Sequence, residues 1–236
     1  MTNAKPFSLC DMRRRLPFYR DVLYRLKVAA ARLRKPKYGL PRGYLHRSTV
    51  QVFDDSTNRD EYQNEVYAFA RAFYEEQQLH GVLDIGCGSG FKLMKYFSDV
   101  PCAGAETDTA FLRQTYPDEH WFEVFQDDWK QFPAELVIAA DVIEHVPDPD
   151  AFLRNLLEHH NAQWFLFSTP DRNMDPSQWT FGPPPNECHF REWSFEEFKA
   201  FLGTYFHIRR HEISNTEQRT QMLLATRLRD YSSRNA

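Results

Sequence analysis

The chain has 236 residues, of which 42% are hydrophobic and 15% aromatic, so it can bury the core of one domain with an extension. No apolar run is long enough to cross a bilayer and no apolar stretch follows Arg13–Arg15, so we expect neither a transmembrane helix nor a signal peptide. The four cysteines lack metal-ligand spacing, which predicts no structural zinc and a reducing, cytoplasmic setting.

The net charge of −4 is unevenly distributed along the chain. Residues 1–47 contain 13 Lys and Arg against 2 acidic residues, a net +11, whereas the rest contains 16 basic against 31 acidic residues, a net −15. Apolar residues recur at helical spacing from Leu16 to Leu33, and Pro36 ends the pattern, so we predict a basic helix.

Two interpretations of this helix stay open. It packs on the acidic body with a solvated basic face, or it binds an anionic partner. Phospholipid headgroups at a membrane surface, a phosphorylated lipid-linked substrate and nucleic acid all fit the second interpretation. The turn-rich residues 40–58 then predict a connector, so we divide the chain into a basic helical extension with connector over 1–60 and a second domain over 61–236.

From Glu61 to Leu79 the pattern is helical, and beyond it short apolar runs alternate with helical stretches. The predicted strands are Val82–Ile85, Cys102–Ala105, Trp121–Phe125, Leu136–Ala140 and Trp164–Ser168, with helices near 91–98, 108–115 and 149–160. Such alternation predicts a parallel sheet covered by helices on both faces. The last two apolar runs, Phe206–Ile213 and Gln221–Leu228, predict an antiparallel pair at a sheet edge.

A glycine-rich loop directly follows the first predicted strand. Gly86, Gly88 and Gly90 permit positive φ and a close approach of a ligand to the backbone, and the next helix presents free N–H groups. The Gly-x-Gly-x-Gly spacing and the preceding Asp84 disfavour the pyrophosphate of a dinucleotide. They favour a ligand with an amino acid end, whose ammonium group suits a carboxylate.

Acidic residues also follow the next two strands. Glu106 stands where a carboxylate can accept hydrogen bonds from both hydroxyls of a ribose, although it can instead cap the following helix. Asp127 or Asp128 can accept from an adenine amino group, and Trp129 can stack on the ring, although Asp-Asp pairs are also common in turns. Together these acids place the ligand across the carboxyl edge of the sheet.

These motifs resemble those of class I methyltransferases, which use S-adenosylmethionine (SAM), and the resemblance extends from about Glu61 to the end. Val82–Gly90 resembles their first motif, and Glu135–Val146 resembles the fourth strand and exit loop of the branch that methylates small molecules. Glu135 replaces a frequent aspartate, and the link from Asp128 to it is short. The resemblance implies a doubly wound, seven-stranded sheet and an enzyme that converts SAM to S-adenosylhomocysteine.

The acceptor side is predicted from two segments. The fourth-strand exit carries Asp141, which we include among the cofactor-binding residues, together with Glu144 and His145 near the expected position of the methyl group. Methyl transfer to oxygen requires removal of a proton, and histidine titrates near neutrality, so His145 is one candidate base. His145 can instead pack beneath the cofactor.

The second segment is the long proline-rich loop after the fifth strand, a kind of loop that is usually functional. It carries His189, a rival candidate base, whereas Arg191 and Trp193 are expected to hold the loop to the sheet. A metal site of two histidines with Asp171 or Glu187 is conceivable, but no ligand pair has diagnostic spacing, so we expect no metal. Ser194 and Glu197 predict a capping box for the helix that follows.

These observations lead to one functional expectation and two alternatives. We expect O-methylation of a small polar acceptor, such as a sugar hydroxyl of a glycan, a lipid-linked glycan or a secondary metabolite, since the chain lacks the Asn/Asp-Pro-Pro-Tyr signature of base-amino methylation. Alternatively, the basic extension recruits an RNA or protein target, or the chain binds SAM without turnover. The oligomeric state is not indicated by the sequence.

Overall fold

The computed structural model describes residues 17–51, 62–126, 129–177 and 179–228. Its helices are α1 (Pro17–Ala31), α2 (Asn64–Glu76), α3 (Phe91–Phe97), α4 (Ala110–Thr115), α5 (Pro149–His159) and α6 (Phe195–Leu202). Its strands are β1 (Val82–Ile85), β2 (Cys102–Glu106), β3 (His120–Glu123), β4 (Leu136–Ala140), β5 (Trp164–Pro170), β6 (Phe206–Asn215) and β7 (Thr220–Arg227). No helix in these ranges combines the length and apolarity needed to span a bilayer.

The strands form one seven-stranded sheet in the order β3-β2-β1-β4-β5-β7-β6. Strands β1 to β5 are parallel, and β7 pairs antiparallel with both β5 and β6. This confirms the predicted α/β class and its antiparallel C-terminal pair. The strand order reverses between β1 and β4, so the loops that leave these neighbouring strands lie side by side, where open α/β sheets bind ligands.

The sheet is covered on both faces, and the residues of its central strands β1 and β4 are all buried. All four residues of β1 are buried, and their side chains alternate between the two faces, with Leu83 and Ile85 on one and Val82 on the other. Buried residues of α5 and α6 pack on the first face, and buried residues of α2, α3 and α4 pack on the second. The sheet is therefore a rigid support for the loops at its carboxyl edge.

The boundaries differ from the predicted ones where a turn ends an element early. The predicted strand Trp121–Phe125 is wrong at both ends: β3 covers His120–Glu123, and the amide of Gln126 then donates to the carbonyl of Glu123 at 3.0 Å. This turn leaves Phe125 85% exposed. The helix predicted up to Leu79 ends at Glu76. The capping box of α6 is confirmed, with Ser194 and Glu197 bonding each other's backbone.

The described part of the basic extension packs on the body. Residues 38–51 run along the loop between β5 and α6: the amides of Leu45, Arg47 and Gln51 donate to the carbonyls of Phe181, Phe190 and Glu187 at 2.8, 2.9 and 3.0 Å. The indole of Trp193, which is fully buried, donates to the carbonyl of Tyr38 at 2.7 Å. Residues 38–51, which we call the strap, are therefore folded onto the body.

His160, directly after α5, is a buried imidazole with both ring nitrogens bonded to the backbone. Its Nε2 donates to the carbonyl of Phe132 and its Nδ1 accepts from the amide of Ala162, both at 3.1 Å. Burial is the main cause that lowers the pKa of this ring below its ordinary value of 6.5, and the charge of Arg227 adds to it. The folded protein therefore keeps His160 neutral at a pH where the unfolded chain takes up a proton.

We predict that His160 makes the protein less stable in mild acid. Below about pH 6.5 the unfolded state binds the additional proton, so the free energy of unfolding falls as the pH falls. His160→Asn should cost about 1–3 kcal/mol but should show a smaller difference in urea midpoint between about pH 7.5 and pH 5.5 than the wild type. His159→Asn, at an exposed neighbour, is the control. Equal pH dependence in His160→Asn and wild type would contradict the prediction.

Candidate functional site

Three glycines set the path of the loop from β1 to α3. Gly86, Gly88 and Gly90 have φ of 73°, 53° and 71°, the left-handed region that glycine adopts without strain. Space is also limiting, since a Cβ on Gly86 would lie 2.5 Å from Cγ2 of Val142 and one on Gly90 2.8 Å from Cδ2 of Leu112. The loop can therefore approach a ligand closely with its backbone.

Glu106, at the end of β2, is hydrogen-bonded to this loop. One carboxylate oxygen accepts from the amide of Gly88 at 3.0 Å, and the other accepts from the amide and hydroxyl of Thr107 at 2.6 and 2.9 Å. The carboxylate thus stands between the glycine loop and the exit of β2, where the sequence predicted a ribose acceptor. Glu106 does not cap the following helix, because α4 begins four residues later, at Ala110.

Asp84 lies in β1 directly beneath the loop and is fully buried. The hydroxyl of Tyr67, on α2, donates to its carboxylate at 2.8 Å. Burial and the nearby Asp84 raise the pKa of Tyr67 well above its ordinary value, so the phenol stays protonated and keeps donating. Sequence reasoning found Asp84 but missed Tyr67, because nothing in the spacing of α2 marks one of its tyrosines as a polar partner.

The predicted adenine end of the site is described only in part. Asp127 and Asp128 lie outside the described residues. Trp129 is buried in the core, where its indole donates to the carbonyl of Val124 at 3.0 Å and its ring stacks with His160 at a centroid distance of 6.5 Å. One face of its ring is therefore covered by His160. Its contact with adenine stays a prediction.

The exit of β4 carries two acidic side chains. Asp141 has a φ of 53°, which is strained for a residue other than glycine, and its carboxylate accepts from the hydroxyl of Ser168 at 2.6 Å. Glu144 is fully buried in the 3₁₀ turn Ile143–His145 and accepts from the hydroxyl of Thr169 at 2.9 Å. Burial raises the pKa of both carboxyls, that of Glu144 well above its ordinary value.

The two predicted base candidates lie together. The rings of His145 and His189 are perpendicular, with centroids 4.6 Å apart. Nδ1 of His145 donates to the carbonyl of Cys188 at 3.0 Å, and Nδ1 of His189 donates to the carboxylate of Glu192 at 2.5 Å. Burial and the neighbouring His189 lower the pKa of His145 to about 4, so its imidazole is neutral at physiological pH.

Backbone and side-chain bonds hold the loop that carries His189 against the exit of β4. The amide of Phe190 donates to the carbonyl of Glu144 at 2.9 Å. The guanidinium of Arg191, buried, donates to the carbonyls of Val146 and Pro147 at 2.6 and 2.7 Å. These contacts agree with the expectation that Arg191 holds the loop to the sheet. Glu192, which orients His189, was missed by sequence reasoning.

Glu144, His145 and His189 together form a compact set of possible metal ligands. One ligand atom from each lies within 4.8 Å of the others. The two acids considered from the sequence, Asp171 and Glu187, do not belong to this set. The prediction of an enzyme without metal rested on the absence of ligand spacing along the sequence, whereas these three side chains come from two separate segments.

The site is thus divided into two halves along the carboxyl edge of the sheet. Asp84, the glycine loop and Glu106 form a half that suits a nucleoside with an amino acid end. Asp141, with the cluster of Glu144, His145 and His189, forms a half that suits removal of a proton from an acceptor. The β1–β4 reversal places the two halves next to each other, so a group carried by the first can be transferred at the second.

Comparison with known proteins identifies the type of domain. A family model described as a methyltransferase domain matches residues 51–218. Comparison with curated protein sequences gives no significant match. Among solved structures, the bacterial CtHen1-C methyltransferase domain is 21% identical, with a TM-score of 0.54 over 70% of this chain and 97% of that one.

Two further solved structures share the fold. The small RNA methyltransferase HEN1 is 16% identical, with a TM-score of 0.55 over 76% of this chain and 27% of that one. A SAM-dependent methyltransferase from Clostridium acetobutylicum is 11% identical, with a TM-score of 0.51 over 72% of this chain and 93% of that one. At these identities the likeness is one of fold.

We predict that Glu106→Ala weakens binding of SAM and S-adenosylhomocysteine about 10–100-fold, since hydrogen bonds to a charged group are worth about 1.5–3 kcal/mol. Titration calorimetry measures this effect, with NAD as a ligand that should not bind. Asp118→Ala is the matched control, because Asp118 is exposed in the turn before β3, at the opposite edge of the sheet. Unchanged affinity in Glu106→Ala would remove Glu106 from the cofactor site.

Proposed function

The chain belongs to the class I SAM-dependent methyltransferases, and from that premise we propose that it methylates an oxygen of a small polar acceptor, such as a sugar hydroxyl. When bound, SAM supplies the electrophilic methyl group. The chain must then position a hydroxyl in line with that group and take up or release its proton. The observation that carries the proposal is the cluster of Glu144, His145 and His189 beside the glycine loop.

The cluster is suited to a hydroxyl because Nδ1 of each ring is hydrogen-bonded to the protein, whereas Nε2 can face an acceptor. The bonds at Nδ1 of His145 and of His189 favour a proton at that nitrogen, so Nε2 of each ring is the nitrogen that can accept a proton from a hydroxyl. Nε2 of His189 lies 3.0 Å from the amide nitrogen of Asn186, a contact that an acceptor hydroxyl can replace. The carboxylate of Glu192 stabilises positive charge on His189 after a proton transfer.

The surroundings of the cluster favour a polar acceptor. Asp141, Ser168 and Thr169 line the same edge, and the strap covers the loop that carries His189. The carboxylate of Asp141 and Nε2 of His145 and His189 are polar groups that the hydroxyls of a sugar can meet, whereas an apolar acceptor offers them no hydrogen bond. The acidic edge also disfavours an acceptor whose only polar groups are anionic.

We predict that purified protein forms S-adenosylhomocysteine with hydroxyl acceptors in a panel of sugars, nucleotide-linked sugars, phenols and amines. His145→Asn and His189→Asn should each lower that rate about 10²–10⁴-fold while retaining SAM binding, because both rings lie on the acceptor side. His159→Asn, on the exposed end of α5, should keep the wild-type rate. Methylation of amines alone would contradict transfer to oxygen, and undiminished rates in both site variants would contradict the role of the cluster.

A second candidate acceptor, nucleic acid, is supported by α1 and the residues that follow it. Lys27, Arg34 and Lys35 are exposed, and so are Leu26 and Leu33. The α1 residue Tyr24 contacts the loop that carries His189, where its hydroxyl accepts from the amide of Phe181 at 3.1 Å and its ring packs on Trp179. A basic surface is thus joined to the acceptor side, as recruitment of a polyanion requires.

If RNA is the target, a single-stranded oligonucleotide should bind with an affinity that falls steeply between about 50 and 200 mM salt. Charge reversal at Lys27, Arg34 and Lys35 should abolish that binding. Reversal at Lys199, Arg209 and Arg210, which are also exposed but lie on α6 and β6, should change it less. Absence of binding at low salt would exclude this candidate and leave the small acceptor.

A further inference from the structure

The cluster of Glu144, His145 and His189 has the composition of a metal site. Glu144 and His145 come from the 3₁₀ turn after β4, and His189 comes from the loop before α6. Their ligand atoms lie within 4.8 Å of one another, so modest side-chain adjustment brings all three to one ion. Two imidazoles and one carboxylate are the protein ligands of many catalytic sites for first-row divalent ions, which keep further positions open for water or substrate.

The hydrogen bonds behind the two rings are those that metal-binding histidines usually make. In most such sites the ring nitrogen that does not bind the ion donates to a carbonyl or a carboxylate, which fixes the ring. His145 does so to the carbonyl of Cys188, and His189 does so to the carboxylate of Glu192. Nε2 of each ring is left as the ligand atom, and at His189 an ion would replace the contact with Asn186.

Glu144 provides an independent observation. Its side chain is fully buried; one oxygen accepts from Thr169, and the other has no hydrogen-bond partner among the described residues. No lysine or arginine of those residues forms an ion pair with it, and the negative charges of Asp141 and Glu192 act on it unfavourably. A buried carboxylate without a cation is costly unless a partner is supplied. A divalent ion between Glu144 and the two rings supplies one.

We propose that Glu144, His145 and His189 bind one divalent first-row transition-metal ion, of the kind represented by Zn²⁺, Mn²⁺ and Co²⁺. Magnesium and calcium are excluded as the preferred ions, because both select oxygen ligands and two of the three ligands here are imidazoles.

The role of the ion in catalysis rests on the proposed O-methylation. The ion binds the acceptor oxygen and lowers the pKa of its hydroxyl, whose proton passes to water. The acceptor oxygen then forms the new bond to the methyl carbon, while the bond from that carbon to sulfur breaks and its electron pair goes to sulfur. In this mode the imidazoles hold the ion and do not take up the proton themselves.

Metal binding is tested on the full-length chain, stripped with a chelator and titrated with Zn²⁺, Mn²⁺ or Co²⁺ in a calorimeter. We expect one ion per chain, and a loss of affinity of about 100-fold or more in Glu144→Gln and His189→Asn. Glu192→Gln, behind His189, should lose about 10–100-fold. His159→Asn should bind as the wild type does, since His159 is exposed and remote.

Folding of each variant is checked by its binding of SAM, which the Asp84 half of the site provides. For the wild type, the visible absorption of bound Co²⁺ gives a second measurement that needs no variant: nitrogen ligands in a site of low coordination number intensify the bands of aqueous Co²⁺. Absence of saturable binding of all three ions would overturn the proposal. So would binding that Glu144→Gln and His189→Asn leave unchanged in folded protein.

Assays of methyl transfer distinguish a failure of the proposed metal site from a failure of the proposed function. Methyl transfer to a hydroxyl that stops on chelation and returns with the ion supports both. Transfer that continues unchanged in stripped protein, yet is lost in His189→Asn, overturns the catalytic role of the ion and leaves His189 as the base. An ion bound by the three side chains with no hydroxyl acceptor methylated overturns the proposed function and supports the site.

Discussion

The amide of Phe190 donates a hydrogen bond to the carbonyl of Glu144, and the acceptor half of the site depends on it. The bond joins the loop before α6 to the 3₁₀ turn after β4, two segments that are far apart in the chain. It holds His189 beside His145 and brings Arg191 to the carbonyls of the same exit loop. Without this junction His189 would be a residue of a long surface loop.

The strap stabilises the loop that makes this bond to Glu144. Its backbone bonds to Phe181, Phe190 and Glu187 order both ends of the loop, and the buried Trp193 binds the carbonyl of Tyr38. The hydroxyl of Tyr44 accepts from the amide of Glu192, the residue that orients His189. The basic extension is therefore part of the acceptor half, whatever it binds on its exposed face.

The parts of the fold and site that the sequence predicted are those specified locally. One stretch of 25 residues contains β1, the glycine loop and Glu106. The strand is marked by an apolar run, the loop by its glycines, and Glu106 by its position after a strand. The α/β class was predicted from short apolar runs that alternate with stretches of helical periodicity. The capping box of α6 was predicted from Ser194 and Glu197, three positions apart. Local signals of this kind do not depend on tertiary contacts.

The parts that escaped prediction depend on contacts between distant segments. The proximity of His145 and His189 follows from the Phe190–Glu144 bond, for which a proline-rich loop offers no periodic signal. The bond from Tyr67 to Asp84 arises from the packing of α2 under β1, and the strap is recognisable only once the loop it covers is in place. The sequence shows no metal-ligand spacing for the same reason, because the candidate ligands Glu144, His145 and His189 come from two separate segments.

The acidity of the body also has a physical consequence for ligand binding. Asp84 and Glu144 are fully buried, and Asp141 lies at the same carboxyl edge, so the site concentrates carboxylates in a region of low dielectric. Such an arrangement costs stability, and proteins retain it where a ligand supplies the missing charge. Under the proposed function the ammonium and sulfonium of SAM supply positive charge at one half, and under the proposed metal site a divalent ion supplies it at the other. Cofactor and ion should therefore each stabilise the fold, and should do so through different carboxylates.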